Sequence, residues 1–148
     1  MDIKVNINLY ADNDGKELIR LLSGADLPTE DLTREKLKNF LVARSQDDIV
    51  IGAIGIELMK DVGLLRSLVI HPSHRRCGLG KLLTSELETF ALTKGVKALY
   101  LLTRTAADFF LRSGYHITLR ETVPKDIANT EEFKDICPSS AVCLHKKI

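Results

Sequence analysis

The chain has 148 residues, 45% of them hydrophobic and 28% charged, and 21 Lys and Arg stand against 20 Asp and Glu for a net charge of +1. That length fits one compact domain spanning residues 1–148, and the even mixture of charges gives no sequence-wide field, so neither nucleic acid nor a membrane surface is expected as a partner and any anion site must be local. Three cysteines at unequal spacing make neither a disulfide framework nor a four-cysteine zinc site, and no metal is expected.

Met1 to Val5 alternate polar and apolar residues, unlike the continuous apolar core of a signal peptide, and Arg66 interrupts the longest apolar run short of the roughly 18 residues of a membrane span. A soluble, cytoplasmic chain is the expectation. Ile3, Val5, Ile7 and Leu9 have the period of a half-buried strand. Asp12 then caps a helix carrying Leu18, Ile19, Leu21 and Leu22, which ends at Ser23-Gly24, and Leu27 to Leu32 reads as a loop entering a short helix. Strand-like runs follow at Asn39 to Arg44, Ile49 to Met59 and Val62 to Ile70, separated by turns at Gln46 to Asp48 and Lys60-Asp61. The second turn puts Glu57 and Arg66 diagonally on one face. Leu79, Leu82, Leu83, Leu87, Phe90 and Ala91 follow one helical face that Lys94-Gly95 closes. Val96 to Leu102 reads as a buried strand, Thr105 to Ser113 as a helix ending at Gly114, and Tyr115 to Leu119 and Ala141 to His145 as further strands, with Pro124, Thr130 and Pro138 punctuating between them. This order predicts an α/β layer architecture, a mixed sheet with helices on its faces.

The sharpest local signal is Arg75-Arg76-Cys77-Gly78-Leu79-Gly80-Lys81, at the entry to a helix and just after an extended strand. Glycines there let backbone N–H groups point at an anion, the helix dipole favours negative charge, and Arg75, Arg76 and Lys81 add cations. A phosphate or pyrophosphate suits this loop. It is not a Walker A loop, since Arg75 stands where a glycine is needed and Leu82 where Ser or Thr would bind magnesium. Leu83 replaces the third glycine of the dinucleotide fingerprint, and the chain has no Gly-x-Ser-x-Gly elbow and no His-Glu-x-x-His pair. A phosphate-bearing carrier with its reactive end along the strand fits better than a nucleotide hydrolase.

Leu68-Val69-Ile70-His71-Pro72, Arg75-x-x-Gly78-x-Gly80, the long amphipathic helix, the apolar strand, and Ala106 to Phe110 before Gly114-Tyr115 resemble the GNAT superfamily of N-acetyltransferases over roughly Phe40 to Leu119. Leu64-Leu65-Arg66-Ser67-Leu68, Tyr100 to Ala106, and Thr130 to Phe133 with Cys137-Pro138 are similar to the acetyltransferases associated with bacterial arsenic-resistance determinants. The resemblance implies a central, mostly antiparallel sheet with helices on both faces, acetyl-CoA as donor and an amine as acceptor. By the motif, the Leu68 N–H would hold the thioester oxygen, Val69 and Ile70 would carry the strand along the pantetheine arm, and Arg75, Arg76, Cys77, Gly78, Leu79, Gly80 and Lys81 would bind the pyrophosphate. The sequence departs from the family at Thr103, where many members have Asn, and at Phe110, where many have a Tyr proposed to protonate the leaving thiolate.

Acetyl transfer needs a neutral amine, so a base or a water path must take its proton. Glu57 is the first candidate; its alternative role is to pair with Arg66. An unpaired guanidinium inside a strand is expensive, so Arg66 is expected to meet either Glu57 or an acidic group of the acceptor. His71 and His74 flank the anion loop in a solvated or phosphate-adjacent role, and His116 and His145 read as strand-edge residues. Cys77, Cys137 and Cys143 read as small apolar residues, with capture of trivalent arsenic the alternative. The function expected is an acetyl-CoA-dependent N-acetyltransferase acting on a small-molecule amine, an amino-acid-like organoarsenical being the acceptor the closer likeness implies. A protein or peptide amine, or a non-catalytic acetyl-CoA- or arsenite-binding module, is the alternative, and homodimerisation is left open.

Overall fold

The computed structural model describes residues 4–136 and 140–148, with the side chains of 135 and 136 outside the description. Ile3 of the first predicted strand, and Cys137 and Pro138, lie outside the described residues. The strands are β1 Asn6–Leu9, β2 Phe40–Arg44, β3 Val50–Met59, β4 Val62–Ile70, β5 Ala98–Thr103, β6 His116–Ile117 and β7 Val142–Lys147. The helices are α1 Gly15–Gly24, α2 Arg34–Leu37, α3 Leu79–Thr93, α4 Ala107–Arg112 and α5 Lys125–Ala128. One seven-stranded sheet runs in the order β1-β2-β3-β4-β5-β7-β6, the mixed α/β architecture expected. β1, β2 and β3 pair antiparallel, as do β5 with β7 and β7 with β6, whereas β4 and β5 are parallel over Val62–Leu64 and Ala98–Tyr100. No helix among the described residues is long and apolar enough to cross a membrane.

By packing the chain divides into two compact units, Met1–Ile56 with Ser67–Thr89, and Glu57–Arg66 with Phe90–Ile148. In the first, Leu18 and Leu22 of α1, one helical turn apart, are fully buried with Leu37, Phe40, Ala53 and Val69. At the preceding position of β3 the other face is equally crowded: a Cβ on Gly52 would lie 3.1 Å from the Val69 carbonyl oxygen and 3.2 Å from Leu83 Cδ1 of α3. Because successive strand residues point to opposite faces, α1 covers one side of β3 and α3 the other. The start of α1 differs from expectation. A 3₁₀ turn at Asp12–Asp14 precedes it, Asp14 Oδ2 accepts from the Ala11 N–H at 2.9 Å, and Asp12 instead pairs with Arg34. Asp14 takes the inner place because Arg44 of β2 pairs with it, leaving the carboxylate buried but neutralised.

In the second unit Leu64, Val123, Ile127 and Cys143 form the buried cluster, joined by Met59, Val62, Tyr100, Leu102 and Phe133. Two elements escaped the sequence reading here: α5 after Pro124 and a π-helical turn at Glu132–Ile136, each too short to show a helical period. The strand expected over Tyr115 to Leu119 shortens to His116–Ile117, because the chain turns away at Leu119 into a 3₁₀ turn over Arg120–Thr122. Gly95 and Gly114 end α3 and α4 at φ of 82° and 94°, as their positions in the sequence suggested.

Candidate active site

β4 carries an irregularity at its middle. Ser67 is buried yet has φ of 59°, a left-handed conformation that costs a non-glycine residue roughly 1–2 kcal/mol. Strain of this kind persists only where the surrounding packing fixes it, and it concentrates at ligand clamps and active sites. The residue that follows is Leu68, which the sequence reading singles out for its N–H. Val69 is buried in the α1 core, while the Ile70 side chain lies toward Gly52 and α3. The strand ends at Ile70, and the N–H of the next residue, His71, donates to the Ile51 carbonyl at 2.7 Å.

Beyond β4 the loop alternates in handedness: Arg76 has φ of 64° and Gly78 has φ of 85°. Left-handed residues spaced this way turn neighbouring N–H groups to one side, the arrangement of an anion nest. The first-turn amides of α3 follow directly and have no acceptor within their own helix. Arg75, Arg76 and Lys81 are exposed here, and Arg75 Nε–H donates to the Ile70 carbonyl at 3.2 Å. Cys77 is half-buried with its Sγ donating to the His74 carbonyl at 2.6 Å, a structural contact within the loop. Thr84 ties the helix start by donating to the Gly80 carbonyl at 2.8 Å.

Ser73 is a residue the sequence reading missed. Its Oγ lies 2.7 Å from His71 Nδ1 and 2.8 Å from His74 Nδ1, and its N–H donates to His71 Nδ1 at 3.1 Å. The backbone donor requires an unprotonated Nδ1 on His71, which assigns that ring's proton to Nε2 in the neutral imidazole. His71 and His74 thus join through one hydroxyl beside the nest.

The second unit holds the other candidates. Arg66 Nη1 donates to Glu57 Oε2 at 2.8 Å, and its Nε lies 3.7 Å from Glu132 Oε2. Side-chain exposure is 0% for Arg66, 6% for Glu132 and 15% for Glu57, so Glu57 is the most open of the three. The diagonal placement expected of Glu57 and Arg66 is therefore realised as an ion pair; Glu132, from the unforeseen π-helical turn, adds a second carboxylate. The clue in the sequence was an arginine in an apolar strand, which demanded more than one acceptor for its five N–H donors.

The departures from the family pattern have structural roles. Phe110 is buried, edge-on to Tyr115 at 5.4 Å between centroids, and Thr103 Oγ1 accepts the Ala106 N–H at 2.9 Å to start α4. His145 stacks on Tyr100 across β7 and β5 at 5.5 Å, with His116 at 6.2 Å on its other side. Burial raises the Cys143 thiol to about 11, which keeps it protonated. Among the described residues no group of three or more His, Cys, Asp or Glu is arranged to hold a metal ion.

Comparison with known proteins decides the family. A profile of the acetyltransferase (GNAT) domain matches residues 36–117, more than half of the chain. The chain belongs to the GNAT acetyltransferase family. This GNAT chain is 27% identical over 97 residues to an amino-acid acetyltransferase of Pseudomonas fluorescens, a stretch covering 65% of this chain and 22% of that protein. Its fold is that of N-acetylglutamate synthase from Neisseria gonorrhoeae, crystallised with coenzyme A and N-acetyl-glutamate, at a TM-score of 0.84 and 16% identity over 99% of this chain and 36% of that one. A GNAT-family acetyltransferase from Staphylococcus aureus matches at a TM-score of 0.77 and 17% identity, over 97% of this chain and 98% of that one. The GNAT chain described here thus spans about a fifth of the length of the curated relative and about a third of the Neisseria synthase.

Proposed function

We propose that this chain transfers the acetyl group of acetyl-CoA to the amine of a small, amino-acid-like molecule. The observation that carries the reading is the nest: left-handed Arg76 and Gly78, three exposed cations and the open first turn of α3, all directly downstream of β4. A pyrophosphate fits those donors by charge and by the direction of the N–H groups. The strained Ser67 then sets the Leu68 amide as the donor for the thioester oxygen, an oxyanion-type contact whose loss costs roughly 3–4 kcal/mol of barrier. Val69 and Ile70 carry the pantetheine arm toward the loop.

In the reaction the neutral amine nitrogen attacks the thioester carbonyl, the new C–N bond forms, the C–S bond breaks, and the amine's proton must leave. Glu57 takes that proton in this reading, because it keeps the greatest exposure of the three ion-paired side chains. Phe110 has no proton to give, so the coenzyme A thiolate leaves without help from that position. An amino-acid-like acceptor is favoured by the name of the Pseudomonas relative and by the N-acetyl-glutamate in the Neisseria structure. Organoarsenical amino acids fall in the same class and form one arm of the test. Thiol release from acetyl-CoA is measured against a panel of amino acids, amino-acid-like organoarsenicals, simple amines and peptides. Release with the first two groups only is the expected result; release with peptides alone, or binding of acetyl-CoA with no release for any amine, overturns the reading.

A further inference from the structure

In the first unit a cleft of about 300 Å3 opens between α1, the start of β3 and the end of β4. Its apolar surface comes from the buried Val50 and Val69 with the half-buried Leu21 and Ala25, and the exposed guanidiniums of Arg20 and Arg75 stand beside it. Glu17 also lines the cleft, but its Oε2 accepts the Val50 N–H at 3.3 Å. Elsewhere in this unit Arg34 and Arg44 are neutralised by Asp12 and Asp14. Arg20 and Arg75 have no carboxylate at ion-pair distance among the described residues, and Arg75 is held in place only by its bond to the Ile70 carbonyl. His71 lines the same cleft, and its Nε2–H is a further donor.

An apolar lining, a volume at the lower end of small-ligand sites and two guanidiniums with no carboxylate at ion-pair distance, Arg75 being bonded only to a carbonyl, specify one ligand chemistry. We propose that this cleft binds a small anion with an apolar body, of the class of short-chain monocarboxylates and alkyl phosphates, at a site beside the nest that shares Arg75 with it. The guanidiniums take the anionic head and the apolar surface takes the chain. Arg20 and Gly24, on which the variants below rest, have no part in the proposed function, so the two readings fail separately.

Gly24 provides a clean obstruction. It lines the cleft, and a Cβ built there meets nothing within 4 Å, so a larger side chain is accommodated at the cleft's edge without disturbing the core. The test follows amide shifts of the 15N-labelled full chain during titration with hexanoate, hexyl phosphate and hexylamine. Saturable shifts at Gly24, Val50 and His71 with either anion, and none with hexylamine, are expected; the tighter anion identifies the head group. Arg20→Gln should weaken binding about tenfold. Gly24→Leu should abolish it with the melting temperature maintained. Saturating coenzyme A, which engages the shared Arg75 in the proposed function, should weaken hexanoate binding without abolishing it. The proposal is overturned by the absence of saturable shifts, by equal shifts with hexylamine, by an unchanged affinity in both variants, or by complete displacement of hexanoate by coenzyme A.

Discussion

Gly78→Val tests the nest directly. Gly78 has φ of 85°, a conformation that a residue with a Cβ adopts at a cost of roughly 1–2 kcal/mol and a β-branched one resists further. The chain then has two courses. It either keeps the left-handed turn and loses that stability, or relaxes to negative φ and turns the neighbouring N–H groups away. In the first case the melting temperature falls by about 2–8 °C, at about 2–4 °C per kcal/mol for a domain of this size. In the second, each charge-assisted hydrogen bond lost to the pyrophosphate is worth roughly 1.5–3 kcal/mol, or about ten- to 150-fold in acetyl-CoA affinity. Gly95→Val separates the two contributions, because Gly95 has almost the same φ, 82°, lies outside the loop, and has nothing within 4 Å of its would-be Cβ. Thermal unfolding followed by circular dichroism and calorimetric titration with acetyl-CoA give both quantities. The expected pattern is a stability loss in both variants and an affinity loss in Gly78→Val alone. An acetyl-CoA affinity within twofold of the parent in Gly78→Val, or an equal loss in Gly95→Val, refutes the assignment of the pyrophosphate to this loop.

Arg66→Ala strands two largely buried carboxylates, a change that typically costs about 3–5 kcal/mol, so the unfolding midpoint should drop by about 6–20 °C; a drop under about 3 °C on thermal unfolding would show that the triad is not a core element. A Cβ on Gly55 would lie 2.7 Å from Phe40 Cδ1 and closer still to Cε1 and Cζ of the same wholly buried ring. Gly55→Ala should therefore cost about 1–3 kcal/mol, and adding Phe40→Leu should recover part of it in denaturant titration; strict additivity would contradict the steric account. Cys143 binds its proton more tightly when folded, at about 11, than at its ordinary value of 9.0. Its contribution to stability is then complete below about pH 9 and is lost as pH rises toward 11. Cys143→Ala should flatten that alkaline limb in a stability profile measured from pH 8 to 11, and an unchanged limb assigns it to other groups.

The sheet and its main helices were legible because their signals are periodic or punctuated. The apolar strand-like runs of β2, β3 and β4 between their turns, the helical face from Leu79 to Ala91, and the glycines at 95 and 114 each state a local rule that packing did not override. The nest was legible for a similar reason, since glycine at 78 is where a left-handed turn has to fall. What was hidden depended on distant or short elements. No local pattern distinguishes Asp12 from Asp14 as the residue that closes the start of α1; the choice is made by Arg44, thirty residues away. Glu132 joined Arg66 only because a π-helical turn of five residues carries it there, and such a turn has no sequence period. Ser67 in a left-handed conformation was invisible, because serine is compatible with regular strand and its strain is imposed by neighbours. The cleft beside α1 was equally hidden, as Arg20 looks like an ordinary surface cation until the fold brings it beside Arg75 at one hollow.

The division of the chain into two units falls inside its regular elements: between Ile56 and Glu57 within β3, between Arg66 and Ser67 within β4, and between Thr89 and Phe90 within α3. A gene fragment ending at any of these points would sever a strand or a helix and leave part of its hydrogen bonds unmade. The two halves are therefore not interchangeable parts. Recombination between relatives that respects the loops instead, at residues 45–49, 94–97 or 104–106, exchanges whole elements and leaves every strand and helix continuous.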